Sequence, residues 1–285
     1  MAVHRPPDIK TLGLPEVLRR VAAAPHGLAL FAGPPESGRS TTMSAVLVES
    51  LPTAGPGGVA IVAECLPYNF PPEVRHITLD ELRDGTPPPA VLMLDDELCD
   101  AGTADLALQL AAGTLVLACV AGHNTIDLLT QFPGLWPDDE ASVVRDRLAG
   151  VVLGAVTQQL LPRVRDGAMV LAMEVMMVSN PGLRDQLRDN ISDSRFLKNL
   201  IETSAKEGMF SMNASLLRMY REGIIARETA VDASPDRRQL LRYLEAFTAV
   251  FTPPDRSKRP SHADWPKPQL RIIRDDDDAD EEPEA

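Results

Sequence analysis

The chain has 285 residues, of which 44% are hydrophobic and 24% charged, and its formal net charge is −13 at pH 7. This composition suits one large or two modest globular domains, and no apolar run approaches the ~18 residues that a membrane-spanning helix needs. The acidic balance disfavours non-specific nucleic-acid binding, in which Lys and Arg neutralise phosphates. Three scattered cysteines without a C-x-x-C pair, Cys65, Cys99 and Cys119, argue against a zinc site or a disulfide framework and predict buried, reduced thiols.

The first half of the chain alternates between strand-like and helix-like segments. Strands are predicted at LALFA (28–32), GVAIVA (58–63), AVLML (90–94) and TLVLACV (114–120), with helices near residues 41–50 and 103–112. Apolar strands that alternate with helices are typical of a parallel sheet.

The second half of the chain is predominantly helical in pattern. One long helix is predicted from Asp139 towards Leu160, followed by a strand at MVLAMEVMMV (169–178) and a short helix that begins at Pro181. On that short helix, Arg184 and Arg188 are four residues apart, which places them on one face, predicted to be exposed. Further helices are predicted to about residue 251.

The composition of the last residues differs from that of the rest. Residues 275–285, DDDDADEEPEA, hold eight acids and no base, and a proline-rich polar stretch precedes them. Such a segment buries too little apolar surface to fold. The chain is therefore predicted to divide into a short N-terminal arm (1–12), an α/β core (13–165), a mainly helical C-terminal region (166–251) and a disordered tail (252–285).

The stretch GPPESGRSTT (33–42) lies between a predicted strand and a predicted helix. Gly33, Gly38 and Ser40 stand where a G-x-x-x-x-G-K-[ST] loop requires them, but position 39 is Arg and Glu36 lies inside the loop. In such a loop, backbone N–H groups surround phosphates, a lysine adds positive charge and a hydroxyl holds Mg²⁺. The alternative is an ordinary Gly/Pro/Ser turn, and the loop by itself leaves both interpretations open.

Three acids, Asp95, Asp96 and Glu97, directly follow the predicted strand AVLML. Phosphate-binding sites of this class usually place an acid at the end of another strand, where it acts on magnesium or water. A polar loop or an acidic helix start is the alternative, although it is less common for three acids after a buried strand.

Several motifs together resemble the PilT-type retraction ATPases of type IV pili, within the secretion ATPase superfamily that also includes the GspE-type motors. GPPESGRSTT resembles the family's G-P-T-G-S-G-K-S-T-T, and MLDDELCD resembles its Walker B stretch. TQQLLPR (157–163) is close to the family's S-Q-Q-L-L-P-R. EVMMVSNPGLRDQLRDN (174–190) and KEGMFSMNASLLRMYREGIIARETAV (206–231) resemble its C-terminal motifs. The match covers roughly residues 13–245.

The resemblance implies an α/β fold with a P-loop NTPase (RecA-like) core, a parallel-rich sheet and a mostly helical C-terminal region. It implies ATP and Mg²⁺ as cofactors. The implied catalytic residues are Glu97, Glu64 of the Asp box and His123 of the His box, and the implied magnesium ligands are Ser40 and Asp96. The implied nucleotide-binding residues are Gly33, Ser37, Gly38, Arg39, Ser40 and Thr41.

The departures from the family lie in its catalytic segments. Arg39 replaces the lysine, Glu36 adds a negative charge, and the Asp box at about 62–68, VAECLPY, keeps only Glu64 as an acid. Only about a dozen residues precede the matched region, so the N-terminal PAS-like domain of the family is expected to be missing. These departures favour a homologue impaired in nucleotide binding or hydrolysis that acts as a structural or regulatory partner. An active, ATP-hydrolysing hexameric motor is the alternative, so enzyme activity stays open.

The resemblance also implies partners and a location. The chain would form a homo-oligomer, or a mixed hexamer with a related ATPase, and would contact the pilus inner-membrane platform peripherally. It would be cytoplasmic or peripheral at the inner membrane, without a membrane span and without nucleic acid.

Overall fold

A computed structural model of the protein describes residues 5–54, 58–63, 66–84, 86–179, 181–189 and 194–250. The predicted acidic tail, Cys65 and the predicted catalytic residue Glu64 lie outside these residues. No helix within the described ranges is long and apolar enough to cross a bilayer.

Seven strands form one sheet in the order β3-β2-β4-β5-β1-β6-β7. They are β1 (Gly27–Ala32), β2 (Val59–Val62), β3 (Val74–His76), β4 (Val91–Leu94), β5 (Leu115–Cys119), β6 (Val152–Pro162) and β7 (Met169–Met177). All neighbouring pairs are parallel except β6 and β7, which are antiparallel. The predicted α/β fold with a parallel-rich sheet is confirmed.

Eleven α-helices are present among the described residues. They are α1 (Val17–Ala22), α2 (Arg39–Ser50), α3 (Leu79–Arg83), α4 (Ala101–Leu110), α5 (Thr125–Gln131), α6 (Ala141–Val151), α7 (Pro181–Arg188), α8 (Ser194–Thr203), α9 (Met212–Arg221), α10 (Arg227–Ala233) and α11 (Arg237–Val250). Every helix after residue 178 follows the last strand, which agrees with the predicted helical C-terminal region.

The sheet forms the centre of the main hydrophobic core. Strands β1, β2, β4 and β5 are buried along their whole length, as expected for parallel strands covered on both faces. A second, smaller cluster lies where α9, α10 and α11 pack on the outer ends of β6 and β7, and includes Leu161, Val170 and Leu216. The sheet edge formed by β6 and β7 is therefore shared by both clusters.

The long helix predicted from Asp139 towards Leu160 is wrong in its second half. Helix α6 ends at Val151, and residues 152–162 form β6. A short apolar run fits a buried strand and a helix equally well in its periodicity. Pairing decides here, because β6 satisfies the backbone of β1 on one side and of β7 on the other. The predicted boundary at residue 165 falls in the turn between these two paired strands.

Two smaller findings concern a strand that was not predicted and a thiol that was predicted to be buried. The proline-rich stretch after β2 contains β3, a three-residue edge strand with one buried side chain, which is too short to show a period. Of the cysteines predicted to be buried, Cys119 is buried but Cys99 is exposed, because Cys99 belongs to the polar loop between β4 and α4.

The expectation that Arg184 and Arg188 share one exposed face holds only for Arg188. The Arg184 guanidinium is half-buried and donates hydrogen bonds to the carbonyl oxygens of Ala149 and Val178, and burial lowers its pKa. Helix α7 buries Leu183 and Leu187. In the orientation that buries these leucines, Arg184 faces α6.

Candidate nucleotide site

The loop of residues 33–38 joins the end of β1 to the start of α2 at the carboxyl edge of the parallel strands. Gly38 is the residue before the helix, and its left-handed φ of 84° and lack of a side-chain cap leave the amides of the first turn uncovered. Gly33 has a φ of 151°, and a Cβ there would lie 2.3 Å from the Gln158 carbonyl oxygen. Both positions therefore require glycine, and the exposed helix start suits an anion.

Among the described residues other than glycine, only Glu36 has a positive φ, and its value is 61°. A left-handed conformation costs an L-residue roughly 1–2 kcal/mol. Its exposed carboxylate lies in the loop that would surround phosphates. The loop shape needed here thus strains this residue as well as placing a negative charge beside the candidate site.

Arg39, the first residue of α2, forms an ion pair with Glu97 after β4. The distance from Arg39 Nη1 to Glu97 Oε2 is 3.0 Å, and the side chains are 18% and 41% exposed. The structure therefore brings together two residues predicted from separate motifs. In this state each of them partly neutralises the charge of the other.

Asp95 directly follows β4, next to Asp96 in the chain and close to Ser40. Burial raises the pKa of the Asp95 carboxyl, and the nearby Ser40 side chain partly offsets this rise. Its Oδ1 is buried and has no hydrogen-bond partner among the described residues. The hydroxyl of Ser40 and the carboxylate of Asp95, both half-buried, are oxygen donors of the kind that Mg²⁺ takes. The residues present therefore fit a bound phosphate with magnesium. Asp95, rather than the exposed Asp96, lies near Ser40. The role of Asp96 as a magnesium ligand stays a prediction.

The remaining predicted residues are placed as follows. Thr41 Oγ1 lies 2.9 Å from the hydroxyl of Tyr68, in the loop that follows β2. Ser37 is buried within the loop. His123 is exposed in the segment between β5 and α5, and no described residue bonds to it. Its neighbour Asn124 caps α5. The catalytic role of His123 stays a prediction.

Two buried polar residues of the sheet edge were not assigned from the sequence. The first is Gln158 of β6, whose Nε2 donates to the Ser37 carbonyl oxygen at 2.8 Å. It belongs to the motif TQQLLPR, so the motif signalled its position but not its contact. The two residues are 121 positions apart in the chain, so local sequence periodicity could not predict their contact.

The second is Glu174 of β7, which is 5% exposed. Its Oε1 accepts from the amide and hydroxyl of Thr125 at 2.6 and 2.7 Å. Its Oε2 accepts from the Met212 amide at 3.0 Å. Thr125 and Met212 begin α5 and α9, so one carboxylate accepts hydrogen bonds from the first turns of two helices. A negative charge is favourable at a helix N-terminus. The sequence signal for this residue was an acid in the middle of the apolar run MVLAMEVMMV (169–178).

Cys119 ends β5 close to the same charged residues. Burial raises the pKa of its thiol to about 11, and the neighbouring charges of Arg39 and Glu97 have smaller, opposed effects. The thiol is therefore protonated at neutral pH and packs as an apolar group beside the site.

Comparison with curated proteins finds relatives, although no family model matches the chain. A twitching motility protein of Neisseria gonorrhoeae is 25% identical over 236 residues, which are 78% of this chain and 62% of that protein. The type IV pilus retraction ATPase PilT of Pseudomonas aeruginosa is 26% identical over 234 residues, 78% of this chain and 67% of the relative. The chain thus spans less than two thirds of the length of the gonococcal relative.

Solved structures agree with these relatives. A crystal structure of the pilus retraction motor PilT with bound ADP superposes with a TM-score of 0.68 at 26% identity, covering 85% of this chain and 70% of that one. The Legionella pneumophila ATPase DotB superposes with a TM-score of 0.65 at 18% identity, over 80% of this chain and 65% of that one. This second likeness supports the fold alone.

Proposed function

Because the chain is a homologue of the PilT-type pilus retraction ATPases, within the secretion ATPase superfamily, we propose that it is a P-loop protein with impaired nucleotide chemistry. It binds ATP with Mg²⁺ weakly, hydrolyses it poorly and acts as a structural or regulatory partner of a type IV pilus machine. The ion pair between Arg39 and Glu97 is the observation that carries this proposal.

The ion pair opposes both steps of an ATPase cycle. A glutamate that activates water needs a free carboxylate, and a phosphate needs the cation of the loop. Here the carboxylate and the cation bind each other at 3.0 Å, so Glu97 competes with a phosphate for the charge of Arg39. An arginine also presents a planar fork, where lysine presents a compact point charge.

Glu36 adds to the same effect. Its carboxylate faces a polyphosphate at short range, where salt screens poorly. The shape of the loop also requires Glu36 to adopt a strained φ of 61°, which glycine would adopt without cost. Each departure affects positioning or electrostatics, and phosphoryl transfer depends mainly on these two factors.

The proposed partners follow from the homology. The chain assembles as a homo-oligomer or joins a related ATPase in a mixed hexamer, and it contacts the inner-membrane platform of the pilus from the cytoplasmic side. An active retraction motor is the second candidate, favoured by the position of the half-buried Asp95 near Ser40, which keeps oxygen donors for magnesium close together.

Calorimetric titration with ATP and Mg²⁺ tests the proposal. The wild type should bind weakly, and the double variant Glu36→Gly/Arg39→Lys should bind about tenfold more tightly, equivalent to ~1.4 kcal/mol. The double variant removes the repulsion from Glu36 and replaces the planar fork of Arg39 with the compact charge of lysine. Arg83→Lys, a matched exchange of an arginine that pairs with Asp80 on α3, should leave the affinity unchanged. Absence of ATP binding by both the wild type and the double variant would contradict a nucleotide site.

A further inference from the structure

The loop of residues 33–38 rests on one side chain from β6. In the parallel register of β1 and β6, Ala32 lies opposite Thr157, so Gln158 is the next residue along and lies beneath the start of the loop. Its carbonyl oxygen leaves no room for a Cβ on Gly33, and its Nε2 would be 3.4 Å from a Cβ on Gly38. Gln158 therefore touches both glycines of the loop.

The Gln158 amide group also holds the middle of the loop. Nε2 donates to the Ser37 carbonyl oxygen at 2.8 Å, and Gln158 is 1% exposed. In a trans peptide, the C=O of one residue and the N–H of the next point in opposite directions. Since the Ser37 carbonyl points towards Gln158, the Gly38 N–H points away from it. Within the described residues, nothing accepts a hydrogen bond from this N–H.

We infer that Gln158 is a positioning residue that turns the Ser37–Gly38 peptide so that the Gly38 N–H is available to a phosphate oxygen. The inference rests on the proposed nucleotide function. Loops of this type bind phosphate through outward-pointing backbone amides, and the orientation of one amide here depends on a single buried donor. Gln158 touches no reacting atom and acts only through the loop.

Two further polar side-chain atoms lie at this contact. Gln158 Oε1 and Ser37 Oγ are both buried and both lack a partner among the residues that the structure describes. A buried polar atom without a partner costs free energy.

Three variants separate this role from simple packing. Gln158→Met keeps the length of the side chain but loses the donor. Gln158→Glu replaces the donor with a carboxylate that repels the Ser37 carbonyl and favours the flipped peptide. Gln159→Met is the matched control, because Gln159 lies next to it on the other face of β6 and donates to Ala233 O at 3.3 Å.

Hydrogen exchange of the nucleotide-free protein tests the positioning itself. The amides of Ser37 and Thr42 bond to Pro34 O at 3.2 Å and Gly38 O at 3.0 Å. In both Gln158 variants, peptides spanning residues 37–42 should exchange about tenfold faster, equivalent to ~1.4 kcal/mol. In Gln159→Met they should exchange as in the wild type. Unchanged exchange in Gln158→Met would overturn the inference, whatever the nucleotide affinity.

Titration with ATP and Mg²⁺ completes the test. Affinity should fall about tenfold in Gln158→Met, fall further in Gln158→Glu, and stay at the wild-type value in Gln159→Met. Equal affinities of the wild type and Gln158→Met would overturn the inference while leaving the proposed function intact. Faster loop exchange combined with no ATP binding by the wild type would support the positioning role and overturn the proposed function.

Discussion

Asp95 directly follows β4, where its carboxyl group is half-buried. Burial raises its pKa above the ordinary value of 3.8, so the folded state holds the proton more tightly than the unfolded state does. Stability therefore falls as the pH rises from the unfolded pKa through the raised folded pKa, and the penalty is fully present above it.

Asp95→Asn removes this penalty. The variant should gain stability over the wild type at pH 7, and the gain should shrink towards pH 3.5, as measured by urea unfolding at both values. Asp100→Asn is a control of opposite sign, because the Thr103 amide lowers the pKa of Asp100 and its carboxylate stabilises the fold at neutral pH. A gain for Asp95→Asn that does not change with pH would contradict the assignment.

Glu36 and Arg39 show how far residue-level reasoning reaches. Their departure from the motif predicts the wrong charges in the loop, and the structure adds that Glu36 has a positive φ, which strains a non-glycine residue. The partner of Arg39 was not predictable. Glu97 is 58 residues away, and only the order of β4, β5 and β1 in the sheet brings the two residues together.

Glu174 joins β7 to two helices, and its removal tests how the C-terminal region is held. In Glu174→Ala, the buried amides of Thr125 and Met212 lose their acceptor, which should cost about 3 kcal/mol or more in the free energy of unfolding. Urea denaturation measures this. Glu202→Ala, at an exposed acid of α8 that accepts from Gln239 and Tyr243, should cost far less. Similar losses for the two variants would contradict the role of Glu174.

Helix α7 carries two arginines with different tasks. Arg184→Ala removes hydrogen bonds to two carbonyl oxygens and should cost about 1–2 kcal/mol. Arg188 forms exposed ion pairs with Asp185 and Asp146, so Arg188→Ala should change stability by less than about 0.5 kcal/mol. Thermal unfolding of the two variants decides, and equal midpoints would show that the carbonyl contacts do not stabilise the fold.

At the scale of elements, the sequence predicts the buried parallel strands well because each is a continuous apolar run between turn signals. It fails at β6, where the apolar run follows a helix without a turn residue after Gly150. The sequence also does not predict the contacts of Gln158 and Glu174, because nothing near a polar residue in a strand identifies the distant amide or carbonyl that it binds. These contacts depend on the pairing of β1, β6 and β7, which forms only in the assembled sheet.

At the scale of the whole molecule, one sheet links the loop of residues 33–38 to the C-terminal helices. Gln158 contacts the loop from β6, and β6 pairs with β7 along its length, where Thr157 lies opposite Glu174. Motif resemblance was sufficient to predict this fold and its relatives. It could not predict how the loop is supported or which acid faces Ser40, since those depend on side-chain contacts particular to this chain.

The central claim is that the chain keeps the structure of an ATPase but turns over ATP poorly. Phosphate release by the purified wild type at saturating ATP and Mg²⁺, compared with Glu97→Gln, tests it most directly. We expect both proteins to release phosphate at the background rate, because Glu97 is already engaged by Arg39. Brisk, magnesium-dependent release by the wild type that is lost in Glu97→Gln would contradict the claim and establish an active motor.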